Sequence, residues 1–525
     1  MGDADESYLR VLQILGRVPI GTSMLVRPLP MSAATDSATD ATRHPWAGRW
    51  GTTHTVMQGR IEVDDPQFQG IYLSAFPENG NEGALTPGRY LTTALQGGAS
   101  LRLGRLTVSL RPMAAWVQNG DFELAPVKVS GQPKYAYPWR RIDEPQRFGP
   151  DPFWQFDWGQ SEMRLDLGPA SVSYGTTNMW WGPGTQNAIL MSNNAAGFPH
   201  ATLETSHPLD IGIGRLEALW MFGRLQGTQW FDSTVADNGR YITGAALAYT
   251  PTVKALRGLS VGVGRVFYAE VPPEGLGAGE YLLIFQTPLK AAFATGDNHT
   301  GDDTRDQMIS LFGRWVFPES GFEVYGEWAR NDNAWGFREY FLTAGNTAAF
   351  TLGLQKATPL SGGDVLVLSA EATRLDNPND SRAWPNPPYY EHGFVPRGYT
   401  NKGQIIGAAV GTGGTAQFVG AELYAPWGGA SLYARRQLFD LDAWLQTKQA
   451  GVPTSDVIDG ALSLGGTYTW FRGSWDLQAS LEHTLEFDRY RRYLNDVENV
   501  RLSLGARLRL GLMHRLAGAP PALRR

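Results

Sequence analysis

The chain has 525 residues, among them 62 Gly, 18 Trp, 20 Tyr and 23 Phe, with no Cys, a formal net charge of −6 and a mean hydropathy of −0.27. No run of about eighteen apolar residues occurs, which excludes a transmembrane helix. No composition shift marks several cores, which argues against a string of soluble domains. Of 45 basic residues only 7 are Lys, leaving 38 Arg, whose planar fork suits carboxylate, phosphate and sulfate groups; no nucleic-acid partner is expected.

The first residues, Met1 to Glu6, are acidic and polar, without the basic and apolar regions of a leader peptide. An envelope location therefore requires that a leader has been removed. Asp5 to Arg17 sets Tyr8, Leu12 and Leu15 in an apolar stripe at helical spacing, with Asp5 as N-cap and Gly16 as stop. Met31 to Arg43 is low-complexity linker. The expected segments are therefore a helical, periplasmic part with its linker over 1–45, a barrel over 46–513, and a tail over 514–525.

From Trp46 onward the pattern is strand, turn, strand. Leu106, Val108 and Leu110 alternate with Thr107, Ser109 and Arg111. Phe322, Val324 and Trp328 alternate with Glu323 and Glu327, and Val419, Ala421 and Leu423 alternate with Phe418, Glu422 and Tyr424. Trp475, Leu477, Ala479 and Leu481 alternate with Asp476, Gln478, Ser480 and Glu482, with His483 as a misfit on the apolar face. In the last segment, Val500 to Leu512 keeps one parity apolar while Arg501, Arg507 and Arg509 sit on the other. Successive strand residues face opposite sides. Charges repeated on one face across many strands fit a wet lumen better than a packed core. The fold class is therefore all-β: an antiparallel transmembrane β-barrel of about eighteen strands, with a small N-terminal helical plug. Trp46, Trp50, Trp116, Trp139, Trp220, Trp230, Trp315, Trp328, Trp427, Trp470 and Trp475 read as interfacial girdles. The long segments Gly120 to Pro152, Glu270 to Glu280 and Asn377 to Asn401 read as outer loops or a constriction.

One stretch is too polar and Gly-rich for a membrane strand: Tyr174 to Pro199, YGTTNMWWGPGTQNAILMSNNAAGFP. Its Asn and Gln side chains carry both donors and acceptors, which suits sugar hydroxyls and equally suits an internally bonded loop. This stretch, from Trp180-Trp181-Gly182-Pro183-Gly184 through Ser192-Asn193-Asn194-Ala195 to Phe198-Pro199, resembles the signature of the Wzi family of capsule assembly proteins. So does Gly398-Tyr399-Thr400-Asn401-Lys402-Gly403-Gln404-Ile405-Ile406-Gly407. Leu9 to Pro30 and Asn499 to Leu510 are similar to that family's ends, so the resemblance runs through nearly the whole chain in order. It implies an eighteen-stranded outer-membrane barrel with a periplasmic helical part and a lectin role, holding capsular polysaccharide at the cell surface, without enzymatic activity. Barrels of this kind often end on an aromatic residue read by the barrel-assembly machinery; here His514 to Arg525 follows the last strand.

The eight His make no metal-binding spacing, and neither a nucleophile elbow nor a P-loop occurs. Gly296 to Asp303 is acidic but lacks ordered Ca²⁺-ligand spacing. No cofactor or metal is expected. The reading is a surface lectin in the outer membrane, with polysaccharide, outer-membrane lipid and the barrel-assembly machinery as partners. The alternatives are a diffusion porin for anionic or sugar solutes, and a barrel hydrolase. Candidate polysaccharide-binding residues are Trp180, Trp181, Asn187, Asn193, Asn194, Tyr389, Tyr390, Arg397 and Tyr399, with Arg501, Arg507 and Arg509 as lumen-facing bases.

Overall fold

The computed structural model describes residues 4–19, 21–29, 44–47, 49, 54–56, 60–78, 80–231, 239–285, 305–331, 338, 342, 345, 347–376, 388–449 and 457–513. The linker Met31–Arg43, Trp50, the acidic stretch 296–303 and the tail 514–525 lie outside them.

The strands form one ring. They are β1 (61–63 and 67–73), β2 (90–96 and 99–103), β3 (106–110 and 113–117), β4 (153–157 and 162–166), β5 (Ala170–Gly175), β6 (200–205 and 209–210), β7 (Gly214–Leu225), β8 (Arg240–Pro251) and β9 (Leu259–Glu270). They continue as β10 (Arg305–Phe317), β11 (Phe322–Asn331), β12 (Ala348–Pro359), β13 (Val365–Arg374), β14 (Thr415–Ala425), β15 (Gly428–Leu438), β16 (Gly460–Arg472), β17 (Trp475–Phe487) and β18 (Val497–Leu508). Each pairs antiparallel with the next, and β18 returns to β1 from Arg501↔Leu73 to Arg507↔Gln67. The ring is therefore a closed barrel of eighteen strands, with no free edge to satisfy in lipid. Connections alternate between short turns such as 104–105 and 473–474 and long segments such as 118–152 and 375–414. Short turns mark the periplasmic rim and long loops the outer one. Four neighbouring strands, β1 to β4, are interrupted midway; at the break Arg111 donates from its side chain to Asp64 at 2.8 Å and from its backbone N–H to Ser161 Oγ at 2.8 Å.

The alternation works as the sequence suggests. Leu432 is 72% exposed, Leu464 58% and Leu504 53% on the outer face, while Arg435, Ser463 and Arg501 turn inward among polar partners. His483 does point outward, near the outer rim, where Glu498 lies 3.4 Å away. The last strand is shorter than its alternation: it stops at Leu508, because the Leu510 N–H turns to Asp65 (2.8 Å) and a helical turn follows. Trp427, Trp470 and Trp475 do sit together on the outer face at the short-turn rim, with Tyr468 stacked on Trp427. Trp46 does not belong to a girdle; it is buried against Tyr8 and Tyr424.

Helix α1 (Ala4–Ile14) lies inside the periplasmic end. Tyr8, Leu9, Val11, Leu12 and Ile14 pack on Trp46 and on the wall residues Val316, Ala357, Val365, Val367 and Tyr424. Gly16, at φ +65°, ends the helix in the left-handed region that other residues disfavour. Asp5 is not the N-cap, since the helix begins one residue earlier; it instead accepts from Arg507 at 3.2 Å and Arg509 at 3.0 Å. On the opposite side Glu323 of β11 sits between two arginines, Arg10 at 2.7 Å and Arg314 at 2.6 Å, all three buried.

Removing one member of a buried ion pair leaves the others uncompensated. Glu323→Ala is expected to cost about 3–5 kcal/mol of stability, read as a lower guanidinium midpoint of the detergent-solubilised barrel by Trp fluorescence. An unchanged midpoint would show that the helix is not anchored there.

Candidate functional site

The stretch 176–199 enters the lumen and is held there by carboxylates of the wall. Glu371 of β13 accepts the backbone N–H groups of Thr185 (2.6 Å), Gln186 (3.1 Å) and Asn187 (2.8 Å), and the Tyr325 hydroxyl at 2.9 Å. Glu327 of β11 accepts the Ile189 N–H at 3.1 Å and the Ser310 hydroxyl at 2.7 Å. Successive N–H groups turned on one carboxylate make an anion nest, here built by the plug around a wall side chain. The Gly-Pro-Gly turn permits it: a Cβ on Gly184 would stand 1.9 Å from the Asn187 carbonyl oxygen.

The paired Trp residues build the plug's own core. Trp180 and Trp181 pair antiparallel with Arg27 and Val26 of the N-terminal segment. The Arg27 guanidinium lies 4.7 Å from the centre of the Trp180 ring, a cation–π contact. Trp181 is fully buried, its ring against Gly244 and Gly264 of β8 and β9, where a side chain on either glycine would meet it.

The two sequence motifs bind each other. The Tyr390 hydroxyl donates to the Ile189 carbonyl (2.8 Å) and accepts from the Ala408 N–H (2.9 Å). Tyr399 donates to the Leu190 carbonyl at 2.8 Å, and Asn194 to the Ile405 carbonyl at 2.8 Å. Asn187 Oδ1 accepts the Val410 N–H at 3.3 Å. Tyr389 packs edge-on to Tyr390. Arg397 donates to the Thr228 carbonyl at 3.2 Å, with Asp143 3.7 Å away. Asn193 donates to the Asn81 carbonyl at 2.8 Å. The structure thus gathers all nine candidates into one plug, eight of them buried and Asn193 partly exposed. Arg501, Arg507 and Arg509 turn inward as expected from parity, paired with Glu82, with Asp5 and Asp65, and with Asp5 and Asp476 respectively.

An open hollow lies above the plug, at the long-loop rim. It has a volume of about 350 Å³ and is lined by Phe76, Phe122, Tyr137, Trp139, Phe148 and Tyr490, with Arg147, Arg489 and Arg491 among them. Arg489 lies 3.7 Å from the Phe76 ring centre, and Arg491 lies 4.4 Å from that of Trp139. Glu144 and Asp459 share the hollow. Burial, reinforced by the nearby Asp440 and Glu391 charges, pushes the Glu144 carboxyl up to about 8. Burial also lifts Asp459. Aromatic faces beside charged forks suit sugars, whose C–H faces stack and whose hydroxyls and acid groups bond. Sequence reading marked Gly120 to Pro152 as an outer loop without naming these rings. Their signal was the run of Tyr, Pro and Trp between charged residues, but the arginines of 489–491 come from a distant loop.

A family model described as capsule assembly protein Wzi matches residues 92–425. Among solved structures, the chain is similar to Wzi of Escherichia coli, described as an outer membrane protein involved in group 1 capsule assembly and as a carbohydrate-binding β-barrel. The identity is 14%, covering 97% of this chain and 98% of that one, with a TM-score of 0.63. A BenF-like porin from Pseudomonas fluorescens Pf-5 is 9% identical over 85% of this chain and 98% of that one, with a TM-score of 0.42. OccK5 (OpdH) of Pseudomonas aeruginosa is 11% identical over 85% and 97%, with a TM-score of 0.41. A search of curated proteins found no match.

Trp181→Ala would empty a closed pocket and is expected to destabilise the fold by about 3–5 kcal/mol. The check is the denaturation midpoint together with limited proteolysis. A cut appearing in 176–199 with the barrel intact is the expected pattern, whereas an unchanged midpoint would mean that the ring is not packed as described.

Proposed function

The chain belongs to the Wzi family of capsule assembly proteins, and from that premise we propose that it holds an acidic surface polysaccharide at the outer mouth of its barrel. It is a capsule-related protein of the bacterial outer membrane. The observation that carries the proposal is the aromatic and Arg-lined hollow above a closed plug. A polymer lying across this rim meets rings on which sugars stack and guanidinium groups that bond carboxylates. Each mouth holds one segment, and many copies in one membrane hold a long chain by summed weak contacts. In this reading Trp180, Trp181, Asn187, Asn193, Tyr389, Tyr390, Arg397 and Tyr399 form the framework beneath the hollow, and Asn194 stands in its lining. Outer-membrane lipid covers the apolar outer face, and the barrel-assembly machinery inserts the chain. The protein acts by binding and performs no catalytic step.

Two measurements test the reading. Trp139→Ala with Arg491→Ala is expected to weaken binding of a purified acidic capsular polysaccharide by about tenfold, the size of one lost hot spot, with the barrel still folded. Equal binding by the variant would remove the hollow from the site. The second is pH dependence. Below its raised pKa of about 8, Glu144 is neutral and does not repel acidic sugars. As pH rises through that value it becomes charged, so affinity for the acidic polymer should fall between pH 6 and 9, while a neutral glucan shows no such loss. Affinity that rises over this range would overturn the assignment.

A further inference from the structure

Beside the mouth hollow the outer rim carries a second group of rings and cations. Gln146, Arg147 and Phe148 line the hollow, and the next residue, Gly149, meets Trp230, which lies outside that lining. A Cβ on Gly149 would stand 2.7 Å from the Trp230 ring, so the backbone there runs close against it. Tyr135 joins the two groups. Its ring is edge-on to Trp230, 5.4 Å between centres, and the Arg147 guanidinium lies 6.0 Å from its centre. The Tyr135 carbonyl accepts the Gln146 N–H at 2.8 Å. Tyr135 and Trp230 are half-buried, so both keep surface open to water, and Gln229 beside them is exposed.

The charge of this rim is complementary to an acid. Its loop carries three exposed cations, Lys128, Lys134 and Arg141. None of the three has a carboxylate partner among the described residues, whereas the acids Asp121 and Glu123 of the same loop are taken by Arg147 and Arg492. Each of the three stands by a ring instead. Lys128 lies 4.6 Å from the centre of Trp139, Lys134 lies 5.4 Å from that of Tyr135, and Arg141 lies 5.6 Å from that of Phe231. Cation–π contacts at exposed sites are weak, which leaves these charges available to an incoming acid group. Lys128 belongs with the hollow through Trp139; Lys134 and Arg141 stand beyond it, with Tyr135 and with Phe231, the neighbour of Trp230.

We propose that the sugar-binding surface of the mouth continues past the hollow onto Tyr135 and Trp230, as a second subsite for the next sugars of the same polymer. The inference rests on the polysaccharide reading of the hollow and narrows the ligand: a polymer with acid groups on successive repeats. One repeat lies in the hollow, with its acid at Lys128 and Arg491. The next stacks on the open surface of Tyr135 and Trp230, the Gln229 amide bonds its hydroxyls, and Lys134 and Arg141 receive its acid. Two subsites on one rim act together, because filling the first raises the effective concentration at the second.

The test uses the full-length barrel in detergent and an acidic capsular polysaccharide purified from the bacterium that carries the protein, both intact and as size-sorted fragments from partial hydrolysis. Wild type is expected to bind with an affinity that climbs with fragment length and levels off once both subsites are filled. Lys134→Ala with Arg141→Ala is expected to leave the shortest binding fragments within about twofold of wild type and to weaken the longer ones by about tenfold. Trp230→Leu removes a ring and no charge, and is expected to give the same pattern. Losses that are equal at every length, or absent at every length, would overturn the proposal. So would a loss in the paired-cation variant that a folded Trp230→Leu barrel does not share, since a diffuse field and not a subsite would then be at work. Failure of the underlying reading looks different: wild type binds no fragment, or W139A/R491A binds every length as wild type does, and either result removes the second subsite with the first.

Discussion

The structure depends on carboxylates of the wall receiving backbone N–H groups of the plug. A closed ring of eighteen strands is too wide for its inward side chains to fill the lumen. Those side chains are charged because the lumen face of a membrane barrel must be wet or paired. Glu327 and Glu371 find their partners in the turn 184–189, and Glu323 finds its partners in Arg10 and Arg314. The wall's charges and the plug's bare N–H groups each answer the other's desolvation cost.

This explains how the two signature stretches can be so polar and yet so buried. Asn, Ser, Tyr and Gly are the residue types that can close a compact loop core with hydrogen bonds where regular strands are absent. Tyr390 and Tyr399, nine positions apart in their own segment, reach adjacent carbonyls in the partner segment, at Ile189 and Leu190. A motif rich in Asn and aromatic rings is thus compatible with sugar binding and with plug formation alike, and residue type alone does not separate them.

The barrel was legible because its signal is periodic and local. Parity placed Arg501 and Arg507 inward and Leu504 outward without reference to any other strand, and counting such segments gave about eighteen. Helix α1 was legible in the same way, but the role of Asp5 was not. Its partners Arg507 and Arg509 lie at the far end of the chain, and nothing local reports a contact across that separation. The Trp residues divide on the same line. Trp427, Trp470 and Trp475 flank turns and face outward, whereas Trp46 has the same local look and is buried by Tyr8 and Tyr424. The mouth hollow combines loops from residues 76, 122–148 and 489–491, so its rings and its arginines meet only after the barrel has closed.

Closure of the lumen also decides what kind of contact with a polymer is physically open to the protein. A polysaccharide cannot thread a passage in which the plug is bonded to the wall through Glu371 and Glu327 and packed through Trp181 against Gly244 and Gly264. Drawing it through would break those bonds together and leave several charges bare at once. Contact from outside leaves the bonds between plug and wall intact, because the hollow stands open at the rim and its arginines are already placed over aromatic rings. Preorganised groups lose little freedom on binding, so even a shallow contact retains a useful share of its energy. On the proposed reading, a long polymer would gain its retention from the number of such mouths it crosses, each contact being weak enough to exchange.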